Sequence, residues 1–142
     1  MVPAEDLMKH DLWAISQRLR NVQVLNEDAL DLLPRYTNAE SALIYFDPPY
    51  LTTERTNQSG YGENEVPADF HEAAALILRE LPGHILISHY PCDAYKELYE
   101  DHGWTRVDKE ARTNSGGART ESLWMPPRTA AALKLHTQGR LL

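Results

Sequence analysis

The chain has 142 residues, which suits one domain, and its 42% hydrophobic content is enough to bury a core, so intrinsic disorder is excluded. One cysteine, Cys92, excludes an internal disulfide. No secretory leader or bilayer-length apolar run is evident, so a cytoplasmic location is expected. The formal net charge of -7 speaks against a polyanion partner for the chain as a whole, yet residues 103–142 carry 7 bases against 3 acids, so any polyanion-facing surface is expected there.

In chain order, Asp11 is placed to cap a helix running to about Leu19, because Leu12, Ile15 and Leu19 recur at helical spacing. Val22–Leu25 alternates like a strand, and Asp28–Leu33 reads as a short helical turn stopped near Pro34. Ala42–Phe46 is a compact apolar run of the kind buried on both faces of a parallel sheet, and Asp47-Pro48-Pro49-Tyr50 ends it. Residues 51–66 are polar and contain two glycines, which predicts a loop. A helix is predicted from Ala68 to Leu81, stopped by Pro82-Gly83, then a second buried strand over His84–Ser88. Asp93 is placed to cap a helix reaching about His102, closed by Gly103. Trp104–Lys109 and Thr120–Met125 alternate around Gly116-Gly117 and predict a hairpin, with Trp104 and Trp124 as cross-strand packing. Residues 1–127 are expected to form one folded unit and 128–142 a tail, either loosely helical or disordered. The alternation of strands and helices implies an α/β fold, a parallel sheet with an antiparallel C-terminal hairpin. Ligands in such sheets bind at the carboxyl ends of the strands, where Asp47–Tyr50 and Ser88–Pro91 both fall.

Asp47-Pro48-Pro49-Tyr50, at the end of an apolar strand, resembles the catalytic signature of the Dam-like N6-adenine DNA methyltransferases, and the resemblance implies the following chemistry. An adenine amine is a poor nucleophile because its lone pair is delocalised into the ring. Two acceptors aimed at its two hydrogens, the Asp47 carboxylate and the Pro48 carbonyl, would localise that lone pair. Pro49 has a fixed φ and stiffens the turn, and Tyr50 offers a ring for stacking on a base taken out of the duplex. Four further segments resemble the same family in the same order. Val22–Ala29 is similar to the strand whose terminal acid, here Asp28, contacts the adenine of S-adenosylmethionine. Leu51–Arg55, with Tyr61 downstream, is similar to the loop that closes on the target base. Ile85–Tyr90 with Tyr95 and Leu98-Tyr99, and then Glu121–Trp124 after the basic hairpin, are similar to the last blocks.

The resemblance implies a Rossmann-like methyltransferase fold acting on double-stranded DNA, with S-adenosylmethionine as cofactor. It implies catalytic roles for Asp47, Pro48, Pro49 and Tyr50, cofactor contacts from Asp28 and Asp47, and nucleic-acid contacts from Arg55, Tyr61, Arg112 and Arg119. Asp rather than Asn at the first motif position favours DNA over RNA or protein glutamine. The family's Phe-x-Gly-x-Gly turn, which cradles the cofactor's methionine part, is not found in the sequence. Neither are its ribose-binding acid and its recognition domain. The expected fold is therefore incomplete, with an unpaired edge and exposed apolar surface near Leu43–Phe46. Either Val22–Leu25 pairs there or an N-terminal methyltransferase half supplies the missing strand; the alternative function is an inactive remnant or split subunit that binds a partner chain or DNA. The six histidines show no metal-ligand spacing, and Cys92 has no evident partner set for a catalytic thiol.

Overall fold

The computed structural model describes residues 4–51, 68–112 and 118–138. Its elements are α1 (Ala4–Leu19), α2 (Ala29–Leu32), β1 (Leu43–Phe46), α3 (Ala68–Glu80), β2 (His84–His89), α4 (Asp93–Leu98), β3 (Thr105–Arg112), β4 (Ala118–Met125) and α5 (Pro127–Gln138). The strands form one mixed sheet in the order β1-β2-β4-β3. β1 and β2 are parallel, and both pairings made by β4 are antiparallel. This is the expected α/β arrangement, with a parallel pair continued by an antiparallel hairpin.

Side chains alternate across a sheet, so the pairing register assigns its faces. Ile44, Phe46, Ile85, Ile87, His89 and Trp124 share one face. That face is covered by α3 and α4. In α3, His71, Ala74, Ala75 and Leu78 are buried at a spacing that makes one helical stripe. In the next layer Tyr95 of α4 packs on Tyr99 and Trp124, and Tyr99 packs on Trp104. The opposite face carries Leu43, Tyr45, Leu123 and Val107. There Leu43 is 66% exposed, Tyr45 59% and Val107 50%. A strand face this apolar and this open is what a second helical layer would ordinarily cover.

Four local readings are corrected. Val22–Leu25 is not a strand: it has no ladder partner among the described residues, and Val24 is 92% exposed. Alternation specifies a face, but a strand also needs a neighbouring edge, and the free edge of β1 is not taken up by this segment. Asp93 is the first residue of α4, and Cys92 is at the cap position, where its side chain makes no capping hydrogen bond to the helix. Trp104 and Trp124 are both buried but do not form a cross-strand pair. Arg106 lies opposite Trp124, and each tryptophan packs on a tyrosine instead. The expected helix at Asp11 begins earlier, at Ala4, and Leu12, Trp13, Ile15 and Leu19 on it are exposed.

Three anchors tie the chain together beneath the site. Gly103 takes a left-handed φ of 82° and ends the helical segment that follows α4. At the start of α5, Thr129 accepts the Ile85 amide through Oγ1 at 3.1 Å, and the Arg128 guanidinium donates to the carbonyls of Pro82 and Glu40. Gly83 lies against the turn before β1: a Cβ there would meet the Ala42 carbonyl oxygen at 2.9 Å and that of Ala39 at 3.1 Å. Both obstacles are backbone and cannot swing aside. Gly83→Ala is therefore expected to destabilise the fold by about 1–3 kcal/mol, read as a lower urea midpoint at unchanged slope.

Candidate active site

The carboxyl ends of β1 and β2 lie side by side, with Phe46 opposite Ile87, so the turn after β1 emerges next to Ser88 and His89. The Ser88 hydroxyl donates to Asp47 Oδ1 at 2.7 Å. Asp47 is otherwise exposed, and a carboxylate has about four acceptor positions, so most of its capacity remains available to a ligand. Pro48 is buried and Pro49 half-buried, so the turn between them is packed as well as covalently stiff.

Tyr50 is half-buried. Its ring lies 4.6 Å from the His89 ring at 35° and 4.6 Å from Tyr90, edge to face at 87°. Burial pushes its phenol up to about 12; the Asp47 carboxylate adds to the rise and the Ser88 hydroxyl opposes it. Tyr50 is thus a neutral aromatic ring with a protonated hydroxyl at ordinary pH.

Behind this ring is a buried histidine pair. His89 Nε2 accepts the Leu51 amide at 2.9 Å, which requires the ring proton on Nδ1, and Nδ1 then donates to the Tyr90 carbonyl at 2.7 Å. The same ring stacks on Tyr95 at 3.9 Å. His71 on α3 holds the Tyr95 hydroxyl through Nδ1 at 3.0 Å, while its Nε2 has no hydrogen-bond partner among the described residues. Burial pulls His89 down to about 4, with the Tyr90 carbonyl opposing and His71 adding a little. His71 is also lowered, chiefly by burial.

These shifts make stability depend on pH. Below its ordinary value of 6.5 the unfolded chain takes up a proton that folded His89 refuses until about pH 4. Its contribution is therefore fully present above 6.5 and is lost as pH falls from 6.5 to 4, amounting to about 3 kcal/mol. His71 acts in the same direction. Urea unfolding at pH 7.5, 5.5 and 4.0 should show this fall, and His89→Gln should flatten it.

The remaining sequence-predicted residues divide clearly. Arg119 reaches the rim: its guanidinium lies 4.8 Å over the Tyr90 ring and is held by Glu121 at 2.6 Å. The Glu121 hydrogen bond raises its already high pKa, so it remains charged. Arg112 is the last residue of β3, opposite Ala118. Arg55 and Tyr61, and the glycine pair of the hairpin, lie outside the described residues. Asp28 caps α2, with Oδ1 accepting the Leu30 amide at 2.8 Å. The next residue, Ala29, lines a groove of about 260 Å³ between Leu32, Leu33 and Tyr36 on one side and β1 on the other. Ser88 and Tyr90 were legible as part of a ligand-facing strand end and of a family-like strand, and the roles of His71 and His89 were missed. The single available signal was position, a histidine directly beyond the apolar run that ends at Ser88.

Among the described residues no helix is long and apolar enough to cross a membrane. A search among curated proteins finds no match. A family model described as D12 class N6 adenine-specific DNA methyltransferase matches residues 3–114, which span the DPPY turn, the His71–His89 pair and most of the sheet. An Asp-Pro-Pro-Tyr turn at a strand end, in an α/β sheet and within a match covering most of the chain, places this protein in the D12 class N6 adenine-specific DNA methyltransferase family.

Proposed function

We propose that this chain is the catalytic part of a site-specific DNA adenine-N6 methyltransferase that uses S-adenosylmethionine. The observation that carries the reading is the exposed Asp47 carboxylate, held by Ser88 at the mouth of the β1 strand with the Tyr50 ring beside it. In this reading Asp47 and the Pro48 carbonyl accept the two amine hydrogens of an extruded adenine, which turns the nitrogen lone pair toward the methyl donor. Pro49 keeps the two acceptors in register, and Tyr50 stacks on the base. Arg119 and Arg112, with Arg55 and Tyr61, are assigned to the DNA, consistent with the basic C-terminal balance.

The cofactor fits the described residues only in part. The groove beside Ala29 suits a flat ring, and Asp28 stands at its edge. At about 260 Å³ it is below the roughly 300–1,000 Å³ of sites that enclose such ligands, and its lining offers no charged or strongly polar group to hold a ribose or an amino-acid end. We therefore assign the rest of the cofactor site, including a glycine-rich turn, to a second polypeptide segment. The open β1 edge and the exposed Leu43 and Tyr45 support that assignment, because a parallel strand with its own helices would cover both. In a bacterial cell the setting would be cytoplasmic.

The test is formation of N6-methyladenine in duplex DNA, read by nucleoside chromatography after incubation with S-adenosylmethionine. It is run with the chain alone and with an added fragment carrying the glycine-rich strand and recognition domain. Activity in the mixture supports the reading. Absence of activity in both, alongside saturable cofactor binding by the mixture, would sink it.

A further inference from the structure

We propose that His89 is a positioning residue for the DPPY turn. It fixes the peptide that follows Tyr50 and backs the Tyr50 ring; the proposal rests on the reading of that turn given above. Between Asp47 and Leu51 the proline rings lock two of the backbone rotations. The start of the turn is held by Ser88 on Asp47. What remains to be held is the exit, where the rotations at Tyr50 set how the chain carrying the tyrosine stands against the end of β2. The Leu51 amide belongs to that exit peptide, and His89 Nε2 accepts it at 2.9 Å.

A buried side chain acting as core filler alone would be apolar, since each unsatisfied ring nitrogen costs desolvation energy. Here both nitrogens are satisfied by backbone, Nε2 by Leu51 and Nδ1 by Tyr90, so one ring bridges the turn and the end of β2. The ring is fully buried, and it lies between Tyr50 and Tyr95 at 4.6 and 3.9 Å. Only the neutral Nδ1–H form can do this, because a doubly protonated ring would set a donor against the Leu51 donor. Ser88 and His89 are neighbours on one strand, and their side chains leave by opposite faces. Together they grip the turn at its two ends.

The direct probe is nuclear magnetic resonance on the uniformly nitrogen-15-labelled chain. A scalar coupling between the Leu51 amide nitrogen and His89 Nε2, with ring shifts of the Nδ1–H tautomer, is expected in the unmodified protein. Amide exchange at Leu51 is then compared in His89→Gln, whose side-chain oxygen reaches the place of Nε2, and in His89→Leu, which has no acceptor. Loss of one such bond should speed Leu51 exchange about tenfold in the leucine variant, while glutamine keeps most of the protection. The Ile85 amide, held by Thr129, serves as the control for general loosening. In the enzyme completed with its cofactor-binding segment, His89→Leu should lower kcat with little change in KM for the methyl donor, and His89→Gln should recover most of that loss. Absence of the coupling together with unchanged Leu51 exchange in His89→Leu overturns the proposal. If the leucine variant fails to fold, the coupling in the unmodified protein and the glutamine comparison decide it. None of the exchange readouts depends on methylation, so a failure of the methyltransferase reading would be seen separately.

Discussion

Asp47→Ala, in the enzyme completed with its cofactor-binding segment, should lower methyl transfer to DNA by about 100- to 1,000-fold, the usual consequence of deleting one preorganised group aimed at the reacting centre. The thermal midpoint should hardly move. Asp47 is exposed and its one side-chain tie in the fold is the Ser88 hydroxyl, so the structural loss is limited to a single hydrogen bond, about 1 kcal/mol at most. The separation of the two effects is the informative part. Asp47→Asn presents one acceptor and one unwanted donor to the amine and should fall between the wild type and alanine. Ser88→Ala leaves the carboxylate in place but unheld, and should cost less than either. Parallel measurements of kcat/KM and thermal unfolding on the three variants check the ordering. An Asp47→Ala enzyme with near-normal turnover would remove the carboxylate from the mechanism.

The largest expected effect on stability lies at Trp124. Its side chain is fully buried against Tyr95, and its indole N–H donates to Glu100 at 3.1 Å, an acceptor that Arg106 shares at 3.0 Å. Truncation to alanine opens a cavity in the middle of the aromatic layer and should cost about 3–5 kcal/mol. Against a total of about 5–15 kcal/mol for a domain of this kind, that leaves little stability in reserve. Trp124→Phe keeps the ring packing and loses only the N–H donor, so about 1–2 kcal/mol is expected. Circular dichroism is the suitable probe, because Trp13 and Trp104 would complicate a fluorescence signal. A Trp124→Ala chain as stable as the wild type would mean that the layer between α4 and the sheet contributes far less than its burial implies.

The parts of the molecule that were legible in the sequence are those set by neighbours along the chain. The apolar run before Asp47, the prolines after it and the stop at Pro82-Gly83 each act locally, and β1, the turn and α3 follow from them. The histidine roles were not legible, because they come from contacts between distant residues. His89 meets Leu51 across 38 positions and His71 meets Tyr95 across 24. Apart from the place of His89 directly after an apolar run, nothing in the immediate sequence marks either histidine. Val22–Leu25 failed for a related reason: its alternation is real, but the edge it would need belongs to a different part of the sheet. The same limit applied to Trp104 and Trp124, whose strands were foreseen while their tyrosine partners on another element were not.

Both bonds that hold the turn originate in β2, which lies inside the sheet, flanked by β1 and β4. The two holds leave by opposite faces of the sheet, His89 into the covered face and Ser88 on the bare one, opposite Leu123. Whatever covers the bare face therefore meets the Ser88 end of the turn, while the His89 end is set from within the core.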